Sequence, residues 1–71
     1  MYRGNEHYVE LIGTLEKRTL HAVLIKTPLG AGWIARSFLS YRTNTAVDMM
    51  REGDKSQFRV MEWAAQTRGL M

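Results

Sequence analysis

The chain predicts an α+β fold that is mainly β: a small curled, barrel-like antiparallel sheet of four or five strands with one short C-terminal helix. Three observations predict it. Short stretches alternate apolar and polar side chains with the period of a half-buried strand, turn-forming residues separate them, and only the closing stretch changes to helical spacing.

That closing stretch organises the rest. In Gln57-Phe58-Arg59-Val60-Met61 the alternation points Phe58 and Val60 inward. Beyond it Trp63, Thr67 and Leu70 recur at spacings of four and three, so they share one side of a helix, with Ala64 beside them. Trp63 is the expected anchor. Glu62 in the first turn and Arg68 in the last both suit the helix dipole, and Gly69 can take the left-handed conformation that ends a helix, which predicts a helix over 62–68. So short a helix does not persist alone in water, because nucleation outweighs the few hydrogen bonds gained. It must lie against the sheet.

The preceding segments supply that sheet. His7 to Glu16 alternates and reads as a first strand, with Gly13 marking a bulge or a close backbone approach. Polar Glu16-Lys17-Arg18-Thr19 turns it into Leu20 to Thr27, whose aliphatics at both parities suit a central strand. Pro28 to Gly32 is the strongest punctuation, and a second hairpin is expected there, followed by a third strand over Trp33 to Arg36. Ser37 is placed to cap a single turn through Phe38 and Leu39. Tyr41 to Thr45 is polar and reads as irregular; Ala46 to Met50 reads as an extended fourth segment, with a helical turn as the alternative. Glu52 to Ser56 is a charged turn into the last strand.

Composition bounds the functional classes. The 71 residues make room for one domain, 1–71, with Met1 to Asn5 as a loose lead-in and the sheet over 7–61. The absence of cysteine excludes disulfides and thiolate zinc sites and fits a reducing cytoplasm. The N-terminus lacks a basic segment followed by an apolar run, and the longest aliphatic run, Ala22 to Ile25, is far too short to cross a bilayer, so no membrane partner is expected. A net charge of +3 favours nucleic acid or an acidic protein surface.

No arrangement of catalytic groups emerges, and no cofactor or metal is implied. His7 and His21 form an acid–base pair only if the first two strands bring them together; otherwise they are ordinary strand histidines. Ser37, Ser40 and Ser56 sit in no nucleophile context, and Gly30-x-Gly32 lacks the Lys-Ser or Lys-Thr of a phosphate loop. Arg36, Arg42, Lys55 and Arg59, interleaved with Trp33 and Tyr41, are candidates for a basic and aromatic face that grips phosphates and stacks bases. The competing reading is solubilising charge around a tryptophan that belongs to the core: Ile34 facing inward would expose Trp33, and the alternation alone does not choose. Phe38, Leu39 and Tyr41 with Met49 and Met50 are candidates for an apolar patch, or for core filling.

Leu20 to Leu70 resembles a group of short accessory proteins encoded by bacterial viruses and prophages. The resemblance rests on Ala22-Val23-Leu24, Trp33-Ile34-x-Arg36-Ser37, Gly53-Asp54, Phe58-x-Val60, Glu62-Trp63-x-Ala65 and Gly69-Leu70, in that order. Members of the group look to have proline where this chain has Ala35, so the turn after the third strand is expected to differ here. The resemblance implies a viral accessory origin and carries no mechanism.

Together these readings lead to a non-catalytic protein that binds and inhibits a host nucleic-acid-handling protein or ribonucleoprotein complex in the bacterial cytoplasm, in the manner of an anti-CRISPR inhibitor. Its expected interface is Trp33, Arg36, Tyr41 and Arg42, because arginine and aromatic side chains are the usual energetic anchors of such surfaces. The alternative is direct DNA or RNA binding in viral recombination or replication, through Arg36, Arg42, Lys55 and Arg59. A homo-oligomeric structural part of a virion, or a homodimer, is a third option.

Overall fold

A computed structural model describes residues 7–71; the expected lead-in, Met1 to Asn5, lies outside them. Strands β1 (Tyr8–Arg18), β2 (Ala22–Thr27), β3 (Gly30–Ala35) and β4 (Lys55–Met61) form one antiparallel sheet in the order β3-β2-β1-β4. A 3₁₀ turn (Arg36–Phe38) and helix α1 (Tyr41–Val47) connect β3 to β4, and helix α2 (Glu62–Thr67) follows β4 directly. The predicted class is thus observed, with two corrections: a second helix, α1, joins the expected C-terminal one, and the sheet does not close into a barrel. β3 and β4 stand at its two margins and are not paired with each other.

The inner face carries the core. Leu11 and Leu15 of β1, Val23 and Ile25 of β2, Ile34 of β3 and Phe58 and Val60 of β4 are buried there, together with Leu39, Val47, Ala64, Ala65 and Leu70 from the helical segments. Phe58 and Val60 face inward, as their alternation requires.

β1 runs past its expected end at Glu16. Its pairing with β2 skips that residue, Leu15 opposing Ile25 and Lys17 opposing Leu24, and this bulge shifts the alternation by one. Arg18 is thereby turned to the inner side, where its Nη1 donates to the carbonyls of Val47 and Met50 and ties down the end of α1. The bulge therefore sits at Glu16 and not at Gly13. Gly13 instead marks the close approach: a Cβ there would collide with the Lys26 carbonyl oxygen. The β2–β3 loop is only Pro28-Leu29, so Gly30 to Gly32 already belong to β3. β3 accordingly starts three residues earlier than Trp33.

Between β3 and β4 the sequence reading is overturned. Tyr41 to Val47 is helix, neither irregular nor extended, and no strand forms over 46–50. Its start is fixed by Ser40, whose Oγ accepts from the Thr43 N–H at 3.3 Å, and its inward side by Thr43 and Val47, four residues apart. Ser37, the expected cap, is exposed and caps nothing.

α2 forms as expected, and Gly69 takes the left-handed conformation, φ +76°, just past Arg68. Its facing is corrected, however. Trp63 is 47% exposed, and Ala64, Ala65 and Leu70 fill the core instead. Small side chains let the helix settle close to the sheet: its end lies so near β3 that a Cβ on Gly32 would stand 2.9 Å from the Arg68 Cβ and carbonyl oxygen. Trp63 packs edge-on against Phe38 at the periphery, with ring centroids 4.7 Å apart. No helix among the described residues is long and apolar enough to cross a membrane.

Candidate functional site

With the core on one side, the outer face of the sheet is left exposed or half-buried, and strand register decides which side chains meet there. One row runs Lys55–Thr14–Lys26–Ala31 across β4, β1, β2 and β3. The next runs Lys17–Leu24–Trp33 across β1, β2 and β3. Towards the start of β1 lie the pairs Ile12–Gln57 and Glu10–Arg59. Neighbouring strands are about 4.8 Å apart, so Lys26 and Lys55, one strand either side of Thr14, start roughly 10 Å apart. Among the described residues neither of them, nor Lys17, forms an ion pair with a carboxylate. Glu16, left unpaired by the bulge, shares a depression of about 320 Å³ with Thr14, Lys26 and Lys55.

Trp33 stands on this face, 41% exposed, while its neighbour Ile34 is buried. That settles the alternation in favour of an outward tryptophan. The other candidates separate. Arg36 is largely engaged within the protein: its side chain is only 14% exposed, donating to the Asn44 side chain at 2.7 Å, the Asn44 carbonyl at 2.9 Å and Asp48 at 2.7 Å. Tyr41, 84% exposed, and Arg42 line a second depression of about 440 Å³ together with Glu10, Gln57 and Arg59, where the β4 margin of the outer face meets the start of α1. Arg59 is partly engaged, 3.1 Å from Glu10 and over the Tyr8 ring at 5.7 Å. Lys55 is exposed on the sheet itself.

Lys17, Lys26, Thr14 and Leu24 were not among the candidates. Lys26 could have been found from its alternation with buried Ile25 and Thr27. Lys17 could not, because a strict alternation that ignores the bulge assigns it to the wrong side.

The remaining sequence candidates dissolve. His7 precedes β1 and His21 lies in the turn beyond it, so the strand's 11 residues, at about 3.3 Å each, hold them at opposite ends. They make no acid–base pair. Of the proposed apolar patch, Leu39 is core and Phe38 and Met50 pack against it, leaving only Tyr41 and Met49 of the five exposed. Gly30 and Gly32 lie within a strand and form no phosphate loop.

Comparison of the chain with protein-family models, with curated proteins and with solved structures gives no match.

Proposed function

We propose that this protein is a non-catalytic nucleic-acid-binding module that works through the outer face of its sheet, as an accessory of a bacterial virus acting in the host cytoplasm. One observation carries this reading: Lys17 and Lys26 lie in adjacent register rows near the exposed Trp33, and Lys55 continues the Lys26 row across Thr14 towards the far margin of the sheet. Cations there neutralise phosphates and release counterions, and an exposed indole gives a base a surface to rest on. The test is a titration of labelled DNA and RNA, single- and double-stranded, at low salt. Binding that weakens steadily with added salt is expected; failure of all four to bind sinks the reading.

A second reading, inhibition of a host protein that handles nucleic acid, is favoured by the depression beside Tyr41 and Arg42, since tyrosine and arginine at the edge of a recess are common anchors of protein interfaces. It predicts a stoichiometric partner captured from host lysate that survives nuclease digestion and is lost on Tyr41→Ala. Capture abolished by nuclease returns the decision to direct binding.

A further inference from the structure

The outer face also bears on the form of the ligand. Resting on the nucleic-acid reading above, we infer that the ligand is a single strand, with one unstacked base lying on Trp33 and the adjoining phosphates held by Lys26 and Lys17, then Lys55.

The surroundings of Trp33 support this. Its neighbours on the same side of β3 are Ala31 and Ala35, and β3 is a margin strand, so no large residue of that strand screens the ring. Directly opposite on β2 is Leu24, half-buried, which supplies an apolar floor. Lys26 pairs with Ala31, two residues from Trp33, and is therefore the diagonal neighbour of the indole, roughly 7–8 Å away between backbones. Lys17 lies across Leu24, two strands from Trp33 and thus roughly 10 Å distant. The lysine side chain and the sugar between base and phosphate together bridge such gaps, so a base on the ring brings its flanking phosphates within reach of both.

A duplex meets this face poorly. Its bases are already stacked on both sides, so none is offered to the indole, and reading the major groove takes a projecting helix or ribbon. The sheet projects neither here, because α1 and α2 both pack into the core on the inner side. The lysine rows span enough sheet for roughly four nucleotides. Glu16 is one opposing charge, sharing a depression with Lys26 and Lys55; Glu52, which accepts from the Arg18 N–H, and Asp54, next to Lys55 in the chain, are two more at this end of the sheet.

The deciding experiment uses the full chain with Trp63→Phe, so that Trp33 is the sole indole emitter. Should that variant unfold, the wild-type chain is compared with Trp33→Phe. Oligothymidylate is expected to quench Trp33 emission on binding, whereas a blunt-ended duplex of equal charge does not and binds at least about tenfold more weakly. Trp33→Ala should weaken single-strand binding by about tenfold to a hundredfold, and Trp33→Phe by less. Lys17→Gln, Lys26→Gln and Lys55→Gln should each reduce the slope of log affinity against log salt by about 0.7. Equal, salt-sensitive binding of strand and duplex with unmoved Trp33 emission would overturn this inference while leaving the nucleic-acid reading in place. No binding to either would remove both.

Discussion

Arg36 Nη2 lies 2.7 Å from Asp48 Oδ1, joining the end of β3 to the end of α1. The same guanidinium is bonded twice to Asn44, through its side chain and its carbonyl. Arg36 is therefore a structural residue. Arg36→Ala is expected to lower unfolding free energy by about 2–3 kcal/mol, because a fork of charge-assisted bonds is lost at once. Asp48→Asn, whose carboxylate is 63% exposed, should lower it by under about 1 kcal/mol. Urea denaturation distinguishes these, and Arg36→Lys should recover little, since an ammonium cannot reproduce the planar fork.

The two aromatics of the closing stretch should rank opposite to what their sizes suggest. Phe58→Ala removes a fully buried ring and should destabilise by about 3–5 kcal/mol. A chain of this length has roughly 4–10 kcal/mol in all, so that variant is expected to be largely unfolded at ambient temperature. Trp63→Ala loses a half-exposed ring and its edge contact with Phe38, about 1–2 kcal/mol, and should keep a cooperative thermal transition. Equal effects would show that α2 docks through its indole after all.

Gly13 and Ile12 offer a test of register. Gly13→Ala drives a methyl group into the Lys26 carbonyl, and backbone on both sides resists movement, so a loss of about 1–3 kcal/mol is expected, with weakened amide protection in β2. Ile12→Ala, next door but 67% exposed, should change stability by no more than about 0.5 kcal/mol.

Ser40→Ala removes the oxygen that accepts from Thr43 N–H, and should cost about 1 kcal/mol with faster amide exchange at Thr43. Ser40→Asp should largely restore both. Ser37→Ala should do nothing measurable, since Ser37 makes no cap.

Charge on the outer face gives the prediction with the clearest sign. Glu16→Gln removes the carboxylate beside Lys26 and Lys55 and should strengthen oligothymidylate binding a few-fold at low salt, an advantage that disappears as salt screens the site. Weaker binding by this variant would mean that phosphate does not lie on these lysines.

The linear order of residues determined the class of this protein and most of its elements. Strand alternation placed Phe58 and Val60 inside, Pro28 marked the second hairpin, and Gly69 closed the last helix, because each of these is a local preference of the backbone or of one strand's two faces. Tertiary structure decided what local preference leaves open. Methionine-rich 46–50 and polar 41–45 carried no clear period, and it was the cap at Ser40, with Thr43 and Val47 meeting the core, that made α1. The turn of α2 was decided by how closely Ala64 and Ala65 could approach the sheet, which left Trp63 outside. Trp33 and Arg36 read alike in sequence, as a ring and a cation near one turn. One faces solvent and the other is locked against Asn44 and Asp48, because partners from distant segments are supplied only by the fold. The lysine rows have the same origin: register and a bulge bring Lys17, Lys26 and Lys55 to one face, and neither is written in any single stretch of the chain.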